Sequence, residues 1–132
     1  MTAVDVLGMY LHLARASAMR RRYDVKDRFL VLAACLADQM NLSRIAEECR
    51  RRVLAHNRHH ILGRWPSVRD ARHDPDFLVF LRRLERRYPL ERVELLLEKL
   101  GIHWRNERAA YFSDEEYAAS LLGPPCNTDN AS

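Results

Sequence analysis

Between positions 50 and 73 the chain places seven arginines, Arg50, Arg51, Arg52, Arg58, Arg64, Arg69 and Arg72, against a single acid, Asp70, a local net charge of +6. A guanidinium is a planar fork of N–H donors that fits two oxygens of a phosphate at once. Trp65 and the histidines at 56, 59 and 60 are interleaved with these arginines and offer faces on which a base can stack. The basic 50–72 surface therefore predicts phosphate or nucleic-acid contact, with affinity set by charge and not by base reading. The competing expectation is that Arg50, Arg51 and Arg52 are the outer face of a helix and pair with carboxylates on neighbouring elements. Residues 1–49 carry a net +1 and residues 74–132 a net −3, so the chain's formal +4 is polarised. Arginines outnumber lysines 20 to 2, a preference that base composition alone can produce, so only their placement bears on function.

His56 and His60 stand one helical turn apart, and Cys49 lies two turns before His56, which makes these three the metal-like spacing in the chain. Against a metal centre, the stripe through Cys49 and Val53 reads as the core face of its helix. No carboxylate belongs to the cluster, and HExxH, CxxC and ExxH spacings are absent. Histidines near a helix end are expected to meet its free carbonyls instead. No cofactor is expected.

Leu36 to Arg44 resembles the first helix and turn of a helix-turn-helix motif. The pattern breaks at Glu47, where the second helix of such a motif needs an apolar residue. For nucleophilic or acid-base chemistry the chain offers serines, cysteines and carboxylates, none in a glycine-rich turn, nucleophile elbow or P-loop. A last candidate is the apolar set beyond Gly101, namely Ile102, Trp104, Tyr111, Phe112, Tyr117, Leu121 and Leu122. These are expected to dock on the helical body, with an exposed aromatic patch as the alternative.

The elements that must position these residues read as helices. Val4, Leu7, Leu11, Ala14 and Ala18 recur at helical spacing from Ala3 to about Arg21. Asp24 is placed to cap a second helix through Phe29, Leu32, Ala33, Leu36 and Met40, whose apolar residues cover the whole circumference and predict the most buried element. Asn41-Leu42-Ser43 supplies capping residues for a third, which keeps Ile45, Ala46, Cys49, Val53 and His56 on one face and ends before Gly63. Ser67 and Asp70 fit a short helical turn. Asp74-Pro75 opens a helix with Phe77, Phe80, Leu81, Leu84 and Tyr88 on its buried stripe. Pro89 ends it, and Leu90 to Leu100 follows with Gly101 as its C-terminal cap, the pair forming an αα-hairpin over 75–100. Ser113-Asp114-Glu115-Glu116 has the form of a capping box for a short last helix.

A chain of 132 residues with 48% hydrophobic content supports one core. Four glycines and five prolines are too few for the turns of an all-β fold. Cys35, Cys49 and Cys126 form no even set, which predicts a reducing, cytoplasmic compartment. The longest apolar run, nine residues from Phe29 to Ala37, is far short of the roughly 20 that a spanning helix needs, so no membrane association is expected. The amino terminus lacks a basic leader and carries Asp5, which argues against a signal peptide.

These observations predict an all-α fold, a single compact domain of five to six helices over 1–122, orthogonal or bundle-like, with a disordered tail over 123–132. The leading functional expectation is a non-catalytic helical interaction or scaffolding module that binds a protein partner or itself. The alternatives are nucleic-acid binding through the 50–72 surface and a metal-dependent enzyme.

Overall fold

The computed structural model describes residues 1–124. Helix α1, Ala3–Met19, begins on a capping box in which the Thr2 hydroxyl accepts from the Asp5 amide and the Asp5 carboxylate accepts from the Thr2 amide. Its buried face includes Leu7, Gly8, Met9, Leu11, Leu13 and Ala14. Helix α2, Tyr23–Gln39, buries residues on every side, from Phe29 through Cys35 without a break, and is the central element. Helix α3, Ser43–His56, buries only Ile45, Ala46, Cys49 and Val53.

The two links between these helices share one geometry. Arg21 and Asn41 take left-handed backbone conformations, with φ of 59° and 64°. The amide of the next residue reaches back five positions, Arg22 N to Ser17 O and Leu42 N to Ala37 O, each at 2.8 Å. This motif satisfies terminal carbonyls and reverses the chain within a few residues, so α2 lies with α1 on one side and α3 on the other. The caps expected from side chains are therefore absent here: α2 starts after Arg22 and α3 after Leu42, neither with a side-chain cap, and Asp24 lies inside the first turn of α2.

Beyond α3, which ends at His56, before Gly63 as expected, a 3-10 turn spans Ile61–Arg64. Helix α4, Val68–Arg72, is capped by Ser67, whose hydroxyl accepts from the Asp70 amide at 3.1 Å. Helix α5, Pro75–Arg87, starts at Asp74 with proline in the first turn, and α6, Leu90–Lys99, ends at Gly101 with φ of 69°. A second 3-10 turn, Glu107–Ala110, leads to α7, Asp114–Leu122, capped by Ser113. The described residues thus hold seven α-helices, not five to six, because 68–72 closes a full turn of its own.

The structure is all-helical, and a single core cluster runs through α1 to α7. The arms of the hairpin expected over 75–100 follow one another across Tyr88 and Pro89 but pack on different neighbours, α5 on α4 and α2, α6 on α1. Helix α7 returns to α1, where Gly8 permits close approach of Tyr117. No helix among the described residues is long and apolar enough to cross a membrane.

Candidate functional site

The arginines of the 50–72 segment lie on α3, the link and 3-10 turn that follow it, and α4, and five of the seven, Arg50, Arg51, Arg52, Arg69 and Arg72, are bonded or paired within the protein. Arg50 donates to the Trp65 carbonyl at 2.8 Å and lies 3.7 Å from Glu47. Glu47 in turn accepts from the Val68 amide at 2.8 Å, so the outer face of α3 grips the start of α4. This explains why a glutamate stands where the helix-turn-helix pattern breaks. Arg51 and Arg52 both pair with Glu48 at 2.8 Å, and the remaining donors of Arg52 reach the Leu122 carbonyl at 2.5 Å and those of Gly123 and Pro124. Gly123 and Pro124, expected to open the tail, are thus held by α3; residues 125–132, with Cys126, lie outside the described residues.

Arg72 and Arg69 converge on Asp38 of α2, at 2.5 and 3.6 Å. Asp38 is 5% exposed, so an unpaired charge there would be costly, and the two guanidiniums neutralise it. Trp65 donates its indole N–H to Asp74 at 3.0 Å and meets Phe77 edge to face, leaving the ring half-buried. Of the seven arginines, Arg58 and Arg64 are exposed and form no side-chain hydrogen bond or ion pair among the described residues.

Cys49, His56 and His60 are not brought together as ligands. Cys49 is fully buried in the core, and burial pushes its thiol up to about 12, as it does that of Cys35. His56 turns to Asp27 of α2, Nδ1 to Oδ2 at 3.0 Å, and not to the carbonyls at the end of its own helix. Nδ1 of His60 accepts the Leu62 amide and caps the 3-10 turn. Among the described residues no group of three or more histidine, cysteine or acidic side chains is placed to hold a metal ion.

No family model, curated protein or solved structure matches the chain.

Two groupings are not legible in the sequence. Asp27 and Asp38, both 5% exposed, mark the two ends of the buried face of α2, three turns apart. One oxygen of Asp27 has no hydrogen-bond partner and lies 3.9 Å from the Lys26 ammonium. The second grouping joins helices distant in sequence: Glu107 Oε1 lies 2.7 Å from His12 Nε2 and accepts the Tyr117 hydroxyl at 3.1 Å. Burial, aided by the Glu107 charge, raises the Tyr117 phenol above its ordinary value, which keeps the O–H intact as a donor. This junction ties the segment before α7 to α1.

The apolar set beyond Gly101 divides. Trp104, Tyr117 and Leu121 are buried, while Ile102, Tyr111 and Leu122 are partly buried against the core. Phe112 departs from both groups, with 97% of its surface exposed. Its backbone is nevertheless fixed: its amide donates to Glu116 at 3.3 Å, and Arg108 bonds both the Tyr111 carbonyl and Asp114, at 2.7 and 2.6 Å.

Proposed function

We propose that this protein is a non-catalytic helical interaction module that docks a protein partner through Phe112. The observation that carries the reading is a large aromatic ring left in water on a backbone held by hydrogen bonds on both sides. A pre-fixed anchor loses little conformational freedom on binding, and aromatic anchors of this kind dominate protein interfaces. Transfer of a phenylalanine side chain into an apolar pocket is worth about 1.5–3 kcal/mol, a factor of roughly ten to a hundred or more in affinity. The reading places the module in a reducing cytoplasm, in keeping with the free thiols of Cys35 and Cys49.

The experiment is photo-crosslinking from position 112 in the native host, with and without nuclease, alongside sedimentation of the purified chain. A discrete protein adduct, or a self-adduct matched by a dimer in sedimentation, supports the reading, provided Phe112→Ser abolishes the association and retains the helical circular dichroism spectrum. Absence of an adduct at 112 would sink it. An association that disappears with nuclease and weakens on replacing Arg58 and Arg64 by alanine would favour the nucleic-acid alternative, since those two arginines keep their donors free.

A further inference from the structure

Helices α1, α2 and α3 and the end of α7 enclose an open cavity of about 570 Å³, within the range in which proteins hold small molecules. Its apolar lining includes Leu11, Ala14 and Ala18 of α1, Leu30 of α2 and Leu121 of α7. Along α1 the stretch from Leu11 to Ala18 is roughly 10 Å, the length of a medium alkyl chain. The basic side chains that line it are Arg15, Lys26, Arg52 and His56, and no aspartate or glutamate joins them. Three other cavities mix signs in their walls, with Glu47 alongside Arg50 and Arg51 in one, Glu94 and Glu98 alongside Arg105 in a second, and Asp24 and Asp27 alongside Arg28, Arg83 and Arg87 in a third.

The four basic groups are not equally available. Arg52 is committed to Glu48 and to the carbonyls of residues 122–124, and His56 to Asp27. Lys26 has its closest carboxylate oxygen at 3.9 Å, too long for a hydrogen bond, although its side chain is only 16% exposed. Arg15 is exposed and has no hydrogen bond or ion pair among the described residues. An apolar hollow lined by one unpaired cation, Arg15, and by a largely buried Lys26 held only by a long contact to Asp27 and by the face of Tyr23, suits a ligand that is apolar at one end and anionic at the other, because a buried cation gains most from a charged acceptor at hydrogen-bond distance.

We propose that this cavity binds a small organic anion with an apolar body, of the class of a medium-chain acyl carboxylate, its carboxylate held by Lys26 and Arg15. The site is separate from Phe112 and stands whether or not that ring docks a partner.

The test is titration of the full chain with sodium decanoate, decanol and decyltrimethylammonium, each below micelle formation, read by calorimetry and by methyl chemical shifts. Decanoate is expected to bind at millimolar concentration or below and to shift the methyls of Leu11, Leu30 and Leu121. Decanol should bind at least tenfold more weakly, and the ammonium not at all. Lys26→Gln should weaken decanoate about tenfold with no effect on decanol. Ala18→Phe, which fills the hollow, should abolish binding, and Arg51→Gln, outside it, should leave binding unchanged. Should Lys26→Gln reduce helicity, Arg15→Gln makes the same comparison from an exposed, unbonded position. The proposal is overturned if decanoate leaves those methyls unmoved, if decanol or the ammonium binds as well, or if Arg51→Gln costs as much as Lys26→Gln or Arg15→Gln.

Discussion

Gly8 of α1 lies against the ring of Tyr117 of α7, so closely that a Cβ on Gly8 would stand 2.9 Å from Tyr117 Cε2 and collide with the hydroxyl. In an isolated helix alanine is favoured over glycine by about 1 kcal/mol. Here the collision decides the sign, because the Tyr117 hydroxyl is tethered to Glu107 and cannot swing away without losing that bond. Gly8→Ala is expected to destabilise the fold by about 1–3 kcal/mol in denaturant unfolding. The loss should be smaller in a Tyr117→Phe background, where the colliding oxygen is gone, and a double-mutant cycle measures that difference.

Arg72 and Asp38 form the ion pair that ties α4 to α2. Replacing Arg72 with methionine leaves a carboxylate of 4% side-chain exposure with only the more distant Arg69. The expected loss is about 2–4 kcal/mol at neutral pH. Asp38→Asn should cost less, since Arg72 is partly exposed and can turn to water; thermal and urea unfolding of the two variants check the order.

His60 supplies a pH dependence. Burial lowers its pKa, with the Asp27 carboxylate opposing, and its Nδ1 must stay unprotonated to accept the Leu62 amide. A histidine depressed in the fold binds its proton more readily in the unfolded chain. Its contribution is whole above the unfolded value of about 6.5 and is lost as pH falls through the lower folded value. His60→Asn, which keeps an acceptor but cannot titrate, should show a flatter fall in stability below pH 6.5 than the parent chain.

Arg21 is held at φ of 59° in the link between α1 and α2, a conformation that costs a residue with a Cβ roughly 1 kcal/mol. Arg21→Gly is expected to raise stability by about 0.5–1 kcal/mol, because glycine enters that region without the steric penalty. Asn41, in the equivalent position before α3, already has a side chain that tolerates it, so Asn41→Gly should change stability by only a few tenths of a kcal/mol.

The helical class, the circumferential burial of α2 and the caps at Ser67, Asp74, Ser113 and Gly101 were legible in the sequence, because each follows from residues within one or two turns of one another. What the arginines do was not. Arg52 finds its carbonyl partner 70 residues away, and Arg72 finds Asp38 at a separation of 34, so whether a guanidinium is free or bonded depends on which elements the fold brings beside it. The same holds for the aromatic residues after Gly101, where Trp104 and Phe112 are both large aromatic side chains yet one is buried and the other solvated. Local periodicity and capping chemistry set the elements; only packing between them assigned charge to support or to surface, and enclosed the cavity whose basic walls come from three different helices.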